Sequence, residues 1–532
     1  FNTLRYNHEN KKWKVNFARN DLKSNESSTW VPVARGFEIT TLSSMGDLIW
    51  SKSLKNPGLH TVINPYVAVG GVANIQAKNE STALFNTGLD AKVAVTSSMN
   101  LDLTVKPDFS QVEVDVQQTN LERFELFFPE RRQFFLENAD IFGNFGYQNL
   151  RPFFSRRIGL NTPIKFGARL SGKINKNWRM GVMNMQTDKV ANSIPGQNFS
   201  VMSLQRRVFA RSNISAIFVN KQIFNYDQIS NPTSISEYNR NFGLEYNLAS
   251  SNNKWTGKAL YLKSNSPGVK NGNDIIAGNI AYTGTSFFTN FQMETVGRNF
   301  EAETGFVPRT GYTKVEGRVG YLFFPKSSVL QSHGPLAFFN LYFNRDGRFI
   351  ESVFPFIYQF NFLNRSKLML WAAPDYLELQ RPFDPTNFAG EFLTVDSRHR
   401  WFSTGGDYSS RPQSLLTYSA NWRYGGYYAN GTRLNLGGEV GYRFQPYVAI
   451  NLAAQFNRIN FGEDDRLPTG LINQQFDLWL VGPRIDITLT NKLFITNFIQ
   501  FNNQTENVNL NFRFQWRYNP ASDLFIVYTN NY

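Results

Sequence analysis

Cysteine is missing altogether from these 532 residues, which removes disulfides, thiol catalysis and cysteine-ligated zinc or iron–sulfur sites together. Histidine is scarce: His8, His60, His333 and His399 stand far apart in sequence, and none sits in a local metal-ligand or catalytic pattern. No stretch approaches the roughly 20 consecutive apolar residues of a spanning helix, which excludes a helical membrane protein. The chain opens at Phe1 without a charged n-region and an apolar h-region, as expected of an internal or processed start. Phosphate-cradling loops and a nucleophile elbow are also lacking, since Ser403-Thr404-Gly405-Gly406-Asp407 and Gly425-Gly426 read as turn chemistry. No catalytic residue, cofactor or metal site is therefore expected, and the chain reads as a non-enzyme.

What is present is alternation. From Ala83 to Val116, Leu89, Ala91, Val93 and Val95 share one face, and Leu101, Leu103 and Val105 oppose Asp102, Thr104 and Lys106. Val112, Val114 and Val116 oppose Glu113 and Asp115 in the same way. A two-residue period puts alternate side chains on opposite faces of a strand. The same dyad returns in Arg433 to Leu436, Phe494 to Phe501 and Val508 to Phe514. Two architectures compete, a soluble all-β protein and a transmembrane antiparallel β-barrel. Single soluble cores stop growing near roughly 250–300 residues, and no modular linkers interrupt this chain. The 49 Phe, 23 Tyr and 10 Trp gather near strand ends, as in Tyr321-Leu322-Phe323-Phe324, Phe354-Pro355-Phe356, Trp422-Arg423-Tyr424 and Tyr427-Tyr428. Aromatic girdles at two interfaces favour the barrel.

The net charge of +14 is spread over polar faces and loops, without the stripe or motif of a nucleic-acid reader. Basic residues at a barrel rim or lumen, meeting anionic lipid headgroups or anionic solutes, account for it better, and outer-membrane lipid and lipopolysaccharide are the expected surroundings. Asp375, Glu378, Asp384 and Glu391 flank a long loop, Ala372 to Gly390, and match no calcium-loop spacing, so they read as a solvated loop.

Residues 1–62 differ from the rest, with short strands expected at Trp13 to Phe17 and Trp30 to Val33, a further segment at Ile39 to Leu48, and a turn at Pro57-Gly58. They read as the last part of a periplasmic β-domain leading into a barrel at 63–532. Turn signals at Asn175-Lys176-Asn177, Ser251-Asn252-Asn253, Asn271-Gly272-Asn273, Asn430-Gly431 and Asn491 divide the barrel into roughly 16–20 strands. One segment, 121–160, breaks the dyad and is far longer than an ordinary connection of about 4–6 residues. Its charges, Glu122, Arg123, Glu125, Glu130, Arg131, Arg132, Glu137, Arg156 and Arg157, must be paired if buried. Glu125, Glu130, Arg131, Arg132, Glu137, Arg156 and Arg157 are the expected lumen constriction; the competing reading is a structural staple on the wall.

Three clusters in and beside this segment carry a resemblance. Pro107 to Asp115, Phe124 to Glu137 and Phe153 to Gly159 resemble the signature of a Bacteroidetes outer-membrane β-barrel family, labelled carbohydrate-binding family 9 domain-containing proteins, whose barrel has no assigned function. Further similarity runs through Gly305 to Tyr312 and Tyr518 to Tyr528. The resemblance implies a small carbohydrate-binding-like β-domain before the barrel, of which residues 1–56, with Trp13, Phe17, Arg19, Trp30 and Pro32, match only the last portion. It also implies a final strand ending in an aromatic residue, so either a last hairpin follows Thr529-Asn530-Asn531-Tyr532 or the strand from Asp523 closes the barrel. The function expected is transport or a pore with a plugged or constricted lumen. The alternative is a non-enzymatic anchoring or assembly component that binds lipoproteins or a larger secretion or biogenesis complex.

Overall fold

The computed structural model describes residues 10–21, 26–32, 39, 45–52, 54, 61–74, 80–160, 162–190, 194–224, 236–520 and 522–531. Twenty-four strands, from Thr61–Asn74 to Ser522–Asn531, form one antiparallel sheet with the strand order of a closed barrel. Phe349–Val353 and Phe356–Phe362 both lie between Leu330–Asn344 and Lys367–Glu378, so they are one wall strand interrupted at Phe354-Pro355. The twenty-four strands therefore fill twenty-three positions in the wall.

The expected 16–20 strands is too few, and packing explains why. Strands between Ile164 and Tyr321 bury apolar side chains on the inner face as well. Met183 and Met185 point inward while Val182 points outward, so the apolar/polar dyad that marks a strand in sequence is blurred. Where the dyad is clean, the faces are as read: Leu103 and Val105 are exposed on the outer surface, and Asp102 and Thr104 are buried within.

The two ends of the wall differ. At the end where Thr61–Asn74 begins, connections between strands span two to eight residues; at the other they run from four to 58. The longest is 106–163, which corrects the expected bounds of 121–160. Val112, Val114 and Val116 are not in a strand. The chain leaves the wall at Lys106, whose φ is +48°, turns through Asp108, which accepts from Ser110 N at 3.0 Å, and then runs inward. Its backbone donors there are met by side chains of the wall, with Gln117 N donating to Gln500 Oε1 at 2.6 Å and Asn120 N to Gln504 Oε1 at 3.0 Å. Short-period alternation thus marks a segment tied down one side chain at a time, without a ladder.

Two apolar cores result. In the larger, Phe135, Ile141, Phe142, Phe145, Leu150, Phe153 and Ile158 of the inward segment pack on Met185, Val201, Ile217, Leu262, Ile275 and Val296 of the wall. In the smaller, Leu121 packs with Leu379, Phe383, Tyr427, Tyr428, Phe461 and Leu471 at the end with the long connections. Tyr427 and Tyr428 are therefore core residues and not part of a girdle, whereas Tyr321, Phe323, Phe324, Phe356, Trp422 and Tyr424 are exposed on the outside. Asp375 and Glu378 lie within Lys367–Glu378, so the loop begins only at Leu379.

Residues before Thr61 form two small ladders, Lys12–Val15 with Gly46–Ile49 and Ala18–Asp21 with Glu26–Thr29. Trp30 and Val31 are outside any strand; Val31 is instead held by the Asn16 amide, which accepts from its N–H at 2.9 Å and donates to its carbonyl at 3.2 Å. His8, Val33, Pro57-Gly58 and His60 lie outside the described residues.

Candidate functional site

The charges expected to act together are brought together, in a chain of pairs centred on Glu130. Glu130 accepts from Arg132 at 2.7 Å and from Ser155 Oγ at 2.6 Å, while Arg132 also donates to the carbonyls of Ser155 at 2.6 Å and Ile158 at 2.7 Å. One guanidinium thereby closes the two halves of the segment on each other. Burial alone would raise the Glu130 carboxyl, but the hydrogen bonds and charge of Arg132, with the Ser155 hydroxyl, hold it below the usual carboxylate range.

Arg131 bridges Glu113 at 3.0 Å and Asp115 at 3.3 Å. Arg156 pairs with Asp115 and donates to Pro129 O at 2.8 Å, and Arg157 pairs with Glu125 and donates to Gly305 O at 3.1 Å. Glu137 pairs with Lys92 of the wall and accepts from Asn100 at 3.2 Å. Glu113 also pairs with Arg484, which holds Asp486 at 2.8 Å. Sequence reasoning missed Glu113 and Asp115, because their dyad with Val112 and Val114 reads as strand, and Arg484, which sits 371 residues from Glu113.

Contacts with the wall run right around it. Arg169 donates to Phe134 O and pairs with Asp102 at 2.8 Å; Ser203 Oγ donates to Ile141 O at 2.8 Å. Gly146 N donates to Glu245 at 2.9 Å, Lys258 donates to Gly146 O at 2.6 Å, and Tyr147 OH bonds Asn279 at 3.0 Å. Asn387 donates to the carbonyls of Asn120 at 3.2 Å and Glu122 at 3.0 Å.

Beside the segment, toward strands Phe287–Val296, Tyr312–Tyr321 and Leu330–Asn344, lies a cavity of about 560 Å³. Part of its polar lining is paired: Glu351 accepts from Arg123 at 2.9 Å and Arg309 at 2.8 Å, and Glu294 accepts from Tyr312 OH at 2.8 Å. The Arg309 guanidinium lies 4.1 Å from the Tyr342 ring centroid. No local signal in the sequence joins these residues, which come from well-separated stretches of the chain.

Residues 57–194 match the family described as "Domain of unknown function (DUF5916)". That span covers the first five wall strands, from Thr61–Asn74 to Trp178–Thr187, and the whole inward segment. No curated protein matches the chain. Among solved structures, the siderophore receptor PirA from Acinetobacter baumannii is similar at 7% identity, with a TM-score of 0.41 over 86% of this chain and 78% of that one. A mutant of the ferric enterobactin receptor PfeA from Pseudomonas aeruginosa is similar at 9% identity, with a TM-score of 0.42 over 86% and 77%.

The remaining candidates stand apart from this network and have partners of their own. His399 accepts from Ala429 N at 3.0 Å and shares a 3.0 Å hydrogen bond with Ser397 Oγ, and Tyr428 packs on its ring. His333 is bonded to Tyr358 OH at 2.7 Å. Asp384 ties its own loop, accepting from Thr386 N and Gly390 N at 2.8 Å each, and Glu378 is bridged by Arg348 and Arg398. Among the described residues no group of three or more His, Asp or Glu side chains converges as metal ligands would.

Proposed function

We propose that the protein is an outer-membrane β-barrel whose lumen is constricted by residues 106–163, and that it serves passage of a solute across the outer membrane with this segment limiting the flow. One observation carries the reading. The inward segment is bonded to Glu245 and Lys258 on one side and to Arg484 and Gln500 about half the wall away. The outer surface suits lipid, with Val67, Val69, Phe85, Leu103, Phe291, Leu452 and Ile526 all exposed. Connections short at one end and long at the other fit the periplasmic and outer sides of such barrels.

The family match at 57–194 spans the three clusters on which the resemblance to the Bacteroidetes barrels rests. The surrounding partners would be outer-membrane lipid and lipopolysaccharide, and the role a non-enzymatic one.

The test is planar-bilayer recording. Wild-type protein should conduct poorly. Replacing Arg131, Arg132, Arg156 and Arg157 together by Ser leaves Glu113, Asp115, Glu125 and Glu130 without these partners, and their mutual repulsion should loosen the segment. Current should rise with a preference for cations that grows at low salt, where screening is weaker. Open-porin conductance in the wild type, unchanged in the quadruple variant, would leave the segment as a staple on the wall.

A further inference from the structure

Where the inward segment meets the end of the wall with long connections, three guanidinium groups approach the ring of Phe124. Those of Arg123, Arg309 and Arg381 stand 5.1, 5.3 and 5.3 Å from its centroid. Arg123 belongs to the inward segment, Arg309 to the connection between Phe287–Val296 and Tyr312–Tyr321, and Arg381 to the one that follows Lys367–Glu378. Each uses few of its donors. Arg123 and Arg309 bond the Glu351 carboxylate at 2.9 and 2.8 Å, and Arg381 donates to Arg123 O at 2.8 Å. Among the described residues no other hydrogen-bond acceptor meets these three side chains, although a guanidinium carries five N–H groups.

The three arginines line a second cavity, of about 260 Å³, which shares Arg123, Phe124, Arg309 and Tyr312 with the larger one. Among the described residues no acidic side chain lines the smaller cavity, whereas Glu122 and Glu351 line the larger. Three like charges gathered on one ring repel one another, and the shared Glu351 leaves them short of negative charge. The rest of the lining includes Ile350, Leu379 and Phe383, all buried and apolar. We propose that this cavity binds a small organic anion, whose carboxylate takes free N–H groups of Arg123, Arg309 and Arg381 while its apolar body lies on Ile350, Leu379 and Phe383. The guanidinium fork suits a planar carboxylate, and the apolar lining favours a hydrocarbon body over an inorganic anion. Pockets for drug-sized ligands begin at roughly 300 Å³, so the ligand is small.

The inference rests on the reading of solute passage for its purpose, since that reading places the long connections, and this cavity with them, on the side where a solute would arrive. Its chemistry stands on the cavity alone. The competing role for Arg381 is a staple that holds the inward segment through Arg123 O.

The test is calorimetric titration of the detergent-solubilised full chain with 3-phenylpropionate, using the uncharged 3-phenylpropionamide to control for partition into micelles. The acid should bind at one site, more weakly as salt rises, and the amide should not bind. Arg381→Gln should weaken binding by about tenfold or more, and Arg381→Lys should keep part of it. Arg345→Gln removes an exposed arginine at the same end and outside the cavity, and should change nothing. No binding of the acid, equal binding of the amide, or an equal loss in Arg345→Gln overturns the proposal. Inorganic phosphate that competes as well as the acid overturns the apolar half of the site. Should Arg381→Gln fail to fold, seen as lost mobility difference between unboiled and boiled protein, the comparison of acid with amide on the wild type still decides. Open-porin conductance with binding intact would overturn the passage reading and leave the site standing.

Discussion

Two neighbouring side chains on paired strands test which face of the wall would meet lipid under the proposed reading. Val440 is exposed on the outer face, and Ser419 points inward opposite Glu439. Val440→Arg should cost about 2–4 kcal/mol if it lies near the bilayer midplane. Ser419→Arg, facing water and a carboxylate, should cost much less. Urea titration of the two variants refolded in liposomes gives the comparison, and equal losses would reverse the assignment of faces. Thr104 would make a poorer control, since it is buried and donates to Asp90 at 2.6 Å. Glu130 supplies a pH dependence. Its folded carboxyl is held below its ordinary value of about 4.5, so its pairing stabilises the folded segment fully above that pH and is lost as pH falls through the folded value. Protease cleavage within 106–163 should therefore increase below about pH 4, and Glu130→Gln should show this cleavage already at neutral pH. Glu130, Arg131 and Arg132 were legible as an ion-pair group because they are consecutive and cannot be buried unpaired. Their partners Glu113 and Asp115 were not, since two acidic residues in an alternating run look the same whether a ladder or a guanidinium satisfies their surroundings.

At the level of elements, the inward segment is seated by close approach to the wall. A Cβ at Gly181 would collide with the Phe142 ring, and one at Gly243 with Phe145 and Leu262, so glycine at each lets the one-turn helix Asp140–Gly143 and the turn after it lie against the strands. Gly181→Ala should displace Phe142 at a cost of about 1–3 kcal/mol, loosening the segment while leaving the barrel intact. Hydrogen exchange of residues 133–158 should rise with that of Leu493–Asn502 unchanged. Exchange identical to wild type would show that the ring has room to shift. The sequence marked this segment by its loss of alternation, but set its start some fifteen residues late.

For the whole molecule, a wall in which strand after strand is paired predicts cooperative unfolding that resists detergent. Unboiled protein in dodecyl sulfate gels should migrate differently from boiled protein, and comigration with a helical circular dichroism spectrum would contradict the fold. The sequence by itself determined the antiparallel sheet and its outward face, because a two-residue period is a local property of any strand with two unlike faces. It also located an irregular, charged segment, because buried charge demands partners. Only the tertiary structure decided the number of strands, since the inner face beside the inward segment is apolar and hides the alternation. It alone joined Glu113 to Arg484 and Arg123 to Glu351, because those pairs form only when the sheet curves round and brings its distant strands to one interior.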